Sequence, residues 1–121
     1  GLDADPGLVV DGDFTEQSGH AAAAALLALA DRPTAVFAAN DSMAIGALRA
    51  IREAGLDVPR DLALAGFDDI PVAQYVTPAL TSVHVPIHEM GTRAVEAVLS
   101  DAASQTTTLP TRLIVRESCG A

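Results

Sequence analysis

The sequence predicts an α/β domain: a mainly parallel sheet with helices on both faces. Two observations carry this. Short apolar runs alternate with helical periodicities along the whole chain, and those runs are continuous, as strands covered on both sides are. The 121 residues are 50% hydrophobic and 19% charged, the make-up of one globular domain with a sizeable core.

Leu8, Val9 and Val10 form the first apolar run, predicted as a buried strand that ends at Asp11-Gly12-Asp13. After Phe14, Thr15 offers a hydroxyl to cap a helix, with Glu16 near its positive end. Alanine then dominates, the best helix former, and the helix is predicted to run to about Ala30, before Pro33. Residues 35–38 are the next strand. Asp41 is read as the N-cap of a second helix, in which Ala44, Ala47, Leu48 and Ile51 form a core-facing stripe. Gly55 stands where a left-handed C-terminal cap belongs, and Pro59 bars continuation. Residues 62–67 form a third strand, closed by Asp68-Asp69, and Pro71 opens a single helical turn through Tyr75. Thr81, Val83 and Val85 alternate with Ser82 and His84, predicting a strand with one buried face. From Pro86 a third helix carries Ile87, Met90, Ala94, Val98 and Leu99 on one side. Residues 101–108 are polar and loop-like, and Leu113 and Val115 mark a last strand.

Charge narrows the function. Sixteen acidic residues face seven basic ones, all arginine, for a net charge of -9. Such a segment is not expected to track nucleic acid phosphates, which need clustered positive charge. Without lysine there is no P-loop lysine and no Schiff base, and GxSxG, HExxH and GxGxxG are all missing. One cysteine, Cys119, makes neither an internal disulfide nor a cysteine-rich zinc site. No apolar run reaches the length of a membrane span, and the opening GLDADPG has no signal-peptide character. The balance favours binding over chemistry, with no cofactor expected.

In open parallel sheets, ligands bind beyond the carboxyl ends of the strands. Right-handed crossovers point those ends the same way, so Phe14, Asn40 and Asp68 are expected along one edge. Asn40, the only asparagine, donates and accepts, Asp68 accepts twice, and Phe14 offers a stacking face. Together these suit a small polyhydroxylated or heterocyclic ligand. Each residue also has a plain structural use: Phe14 as core, Asn40 as a turn residue, Asp68-Asp69 as a solvated turn. The other candidates are weaker. His84 and His88 flank Pro86 and lack a third metal ligand, His20 belongs to a helix surface, and Cys119 has no neighbouring base. An acid/base role for Asp68 and Asp69, as in a hydrolase, lacks a nucleophile or metal cluster to support it.

The motifs ANDSMAIGAL, GFDD and LTSVHVPIHEMG, in this order and spacing, resemble the lactose-repressor (LacI/GalR) family of bacterial transcription regulators. GDFTEQSGHAAAAALL before them and LPTRLIVRESC after them fit as well, so the resemblance covers nearly the whole chain. It implies a periplasmic-binding-protein-like (type I) fold of two lobes, of which residues 1–121 are the C-terminal part of the effector-binding domain. The DNA-binding headpiece and most of the N-terminal lobe are expected to lie outside this segment, in a cytoplasmic homodimer. Matched motif to motif, Phe14 falls where the family stacks an aromatic ring on its effector, and Asn40 and Asp68 where it hydrogen-bonds a sugar or purine. The family's dimer contacts fall on Ile45, Tyr75 and Val76. Its cleft also uses residues outside this segment. A transporter's periplasmic sugar-binding protein shares the fold and is the alternative. The apolar stripe of the third helix is expected to pack on the chain's own sheet or to exchange with a second copy.

Overall fold

A computed structural model of the protein describes residues 5–100 and 106–121. Strands β1 (Ala35–Phe37), β2 (Ala63–Asp68), β3 (Thr81–His84) and β4 (Arg112–Ile114) form one sheet in the order β1-β2-β3-β4. The first three are parallel, and β4 returns antiparallel beside β3. Three helices connect or precede them: α1 (Glu16–Leu27), α2 (Asp41–Glu53) and α3 (Ile87–Leu99). The α/β class and mainly parallel sheet are those predicted.

Helix α2 organises the core. Its stripe of Ala44, Ala47, Leu48 and Ile51 is buried and meets Leu62, Leu64 and Leu80. Gly66 lets α2 lie close on β2, because a Cβ there would strike the Asp41 carboxylate and the methyl of Ala44. Helix α1 packs on α2 through reciprocal glycines: a Cβ on Gly19 would overlap the Met43 backbone, and one on Gly46 the Glu16 carbonyl. Thr15 caps α1 as predicted, its hydroxyl accepting from the Ser18 amide at 3.2 Å. The helix ends three residues short of Ala30, with Ala28 as its C-cap. Gly55 takes the left-handed conformation foreseen for it, at φ 74°.

Several expectations need correction. Residues 8–10 are not a buried strand: Pro6–Leu8 is a 3-10 turn, and Leu8, Val9 and Val10 are exposed. They line a 520 Å³ cavity together with β1 and α1, and among the described residues β1 pairs with β2 alone, so the run stands beside the open edge of β1 without bonding to it. The N-cap of α2 is Asn40, while Asp41 is the first helical residue and fully buried. In β3 both Thr81 and Ser82 are buried, because Ser82 turns to Asp41 and Thr81 to the chain around Arg116. Among the described residues one sheet face is covered by the α2 layer; on the other, Phe37 and Leu113 are exposed. Helix α3 buries none of its residues, so it does not pack on the chain's own sheet. Residues 101–105 of the predicted loop lie outside the described residues, and 106–108 have no regular structure.

Candidate functional site

The site grows from the carboxyl ends of β1 and β2. Phe37 is paired with Ala65, and the Ala38 amide continues the ladder to the Ala65 carbonyl at 2.9 Å. Three residues beyond that pair lie Asn40 and Asp68, on the same edge of neighbouring parallel strands. Asn40 acts in two directions. Its Oδ1 accepts from the Met43 amide at 2.8 Å, capping α2, and its Nδ2 donates to the Phe14 carbonyl at 3.0 Å. That bond brings the loop before α1 to the sheet edge. Phe14 is 66% exposed, on a backbone at φ 67°. Phe14 is therefore not core.

Asp68 and Asp69 follow at φ 100° and 56°. With Phe14 they are the non-glycine residues in the left-handed region among the described residues. Such conformations cost free energy and persist where the surroundings hold them. Two sets of bonds do so here. The Asp41 carboxylate accepts from the Ser82 hydroxyl at 2.6 Å and the Ile70 amide at 2.8 Å, and Ser82 Oγ accepts from the Asp69 amide at 3.0 Å. The Asp69 carboxylate in turn takes Arg116 Nη2 at 2.6 Å and His84 Nδ1 at 3.0 Å.

The two inner carboxylates shift in opposite directions. Burial raises the Asp41 carboxyl above its ordinary value, against its bonds from Ser82 and Ile70, and the charges of Asp68 and Asp69 add to the rise. Burial also works to raise Asp69, but the bonds from Arg116 and His84 overcome it and hold that carboxyl below its ordinary value. The Asp68 carboxylate forms no such bond among the described residues. It lines a 470 Å³ concavity with His84, Ile87 and His88, whereas Phe14 lines the one beside β1. No group of three His, Cys, Asp or Glu among the described residues converges to hold a metal. No helix among them is long and apolar enough to cross a membrane.

Residues 1–119 match the family model described as a periplasmic binding protein-like domain. The chain is also 46% identical over 106 residues to the lactose operon repressor of Rhizobium radiobacter, covering 84% of this chain and 94% of that protein. The chain belongs to the lactose-repressor (LacI/GalR) family. Among solved structures, the transcriptional regulator CelR in its cellobiose complex superposes with a TM-score of 0.88 at 42% identity. The match covers 97% of this chain and 37% of that one. The lac repressor dimer bound to operator and the anti-inducer ONPF gives 0.84 at 33% identity, over 91% of this chain and 40% of that one. The chain spans about a third of the length of other curated repressors it matches, at 35% and 34%.

Of the residues that the LacI/GalR resemblance assigns to a dimer contact, Ile45 is half-buried on α2 and Tyr75 is 77% exposed. Val76 is half-buried against the core. Sequence reasoning missed Asp41, Ser82 and Arg116 as parts of the site. The available signal was polar: the adjacent hydroxyls of Thr81 and Ser82 at the start of a strand, and an arginine directly after the apolar run 113–115.

Proposed function

We propose that this chain is the C-terminal part of the effector-binding domain of a DNA-binding transcriptional regulator. It holds a small sugar-like or purine-like effector in a cleft whose occupancy controls operator binding. One observation carries the reading: the Asn40 bond to Phe14 joins an exposed aromatic ring to the strand edge that also carries Asp68. The second hydrogen of the Asn40 amide, its second acceptor lone pair and the Asp68 carboxylate, unbonded among the described residues, suit neighbouring hydroxyls, and the ring suits an apolar sugar or heterocycle face.

The protein acts by binding, not by catalysis. An effector that binds one arrangement of the lobes better shifts the population between DNA-competent and DNA-incompetent states. Operator contacts belong to a headpiece outside this segment, consistent with its charge of -9. Tyr75, Val76 and Ile45 form the contact of a homodimer, and the working compartment is the cytoplasm. The curated relatives described above are repressors by name, which favours this reading over a transporter's binding protein.

A thermal-shift screen of the full-length protein with cellobiose, lactose, other common sugars and purine bases tests the proposal. A true effector raises the melting temperature by mass action and changes operator retention in a gel-shift assay. Sustained turnover of sugar phosphates that is lost on Asp68→Asn, with no change in operator retention, overturns it.

A further inference from the structure

We infer that Arg116 is a positioning residue for Asp68, acting through Asp69 to hold the left-handed turn that presents the Asp68 carboxylate. This rests on the reading of Asp68 as an effector contact. Asp68 and Asp69 are consecutive non-glycine residues at φ 100° and 56°, a pairing that a free chain abandons. The buried Asp41–Ser82 pair fixes the backbone of the turn from below, through the amides of Asp69 and Ile70. Arg116 fixes it from the side. Its Nη2 reaches Asp69 Oδ1 at 2.6 Å, while its Nη1 donates to the Leu80 carbonyl at 2.7 Å and its amide to Thr81 Oγ1 at 2.8 Å. Arg116 is thus anchored at the start of β3, its guanidinium on Leu80 and its amide on Thr81, with the side chain 19% exposed.

The adjacent aspartates divide the work. Asp69 is clamped by Arg116 and His84, and Asp68, without a partner among the described residues, keeps its carboxylate for a ligand. Electrostatics make the clamp necessary. Asp41, Asp68 and Asp69 crowd three carboxylates around one turn, and Arg116 is the permanently charged cation bonded within it. Without it, repulsion and the conformational cost push the turn the same way, toward an ordinary backbone that carries Asp68 elsewhere.

The test needs no ligand: NMR of the protein with labelled aspartates, compared with Arg116→Met and Arg116→Lys. In Arg116→Met the Asp69 carboxyl should titrate at higher pH, having lost the bond and charge that hold it down. The strong intraresidue HN–Hα NOE that a positive φ gives Asp68 should weaken, and protection of the Asp69 amide from exchange should fall about tenfold. Arg116→Lys, which keeps the charge, should recover at least part of each change. An unchanged Asp68 NOE in Arg116→Met overturns the inference. If that variant does not fold, Asp69→Asn is read the same way, and an unchanged NOE there is equally decisive. Because no effector is involved, failure here leaves the effector reading standing. Unimpaired effector binding by Asp68→Asn would defeat that reading and leave the turn result intact.

Discussion

Asn40 holds Phe14 by its backbone, not its ring: Nδ2 donates to the Phe14 carbonyl at 3.0 Å while the residue stays 66% exposed. Folding and binding thus separate at this pair. Asn40→Ala removes a helix cap and should cost about 1 kcal/mol in urea denaturation. Asn40→Asp keeps the capping oxygen and loses the donor to Phe14. It should cost less stability than alanine while still weakening the effector-induced rise in melting temperature.

Acid unfolding should separate the two inner carboxylates. Asp69 titrates below its unfolded value, so its stabilisation is complete above about pH 4 and is lost as pH falls through the lower folded value. The stability gap between the protein and Asp69→Asn should therefore shrink in acid. Asp41 is raised, so whatever it contributes is fullest below about pH 4 and declines as pH rises through the higher folded value. The gap to Asp41→Asn should narrow toward neutral pH. Urea melts at a series of pH values read both trends.

Gly46→Ala should destabilise, although alanine is the better helix former. The added methyl overlaps the Glu16 carbonyl, which is backbone and does not yield as a flexible side chain would. Overpacking of about 1–3 kcal/mol outweighs a propensity gain of about 1 kcal/mol. A net stabilisation in urea denaturation would show that α1 and α2 are not locked by these glycines.

Tyr75→Asp should weaken self-association of the full-length protein. In the proposed contact a charge at this position would lose its water without gaining a partner, and sedimentation should show the dimer dissociating at least about tenfold more readily. A dimer of unchanged affinity removes Tyr75 from the interface.

Much of this was legible in the sequence because it is local. The stripe of α2, the Thr15 cap and the left-handed Gly55 depend on spacing within one helix, and the structure has them where the spacing put them. Residues 8–10 differ because an apolar run has strand character but becomes a strand only when it bonds to a partner edge, and here a cavity lies between the run and β1. Asn40 and Asp41 are both good capping residues, and one slot exists. What assigns it is Ser82, forty-one positions beyond Asp41 in sequence, where no local pattern reaches. The periodicity of α3 revealed an apolar face but not its surroundings, and the structure leaves that face exposed. Arg116 escaped notice for the same reason as Asp41: its partner Asp69 is remote in sequence.

The most direct measurement is a crystal structure of the full-length protein with the sugar or purine base that gives the largest thermal shift. The account predicts ligand hydroxyls or ring nitrogens within hydrogen-bonding distance of the Asn40 amide and the Asp68 carboxylate, with the Phe14 ring against an apolar face. A ligand bound out of reach of both Asn40 and Asp68 would contradict it.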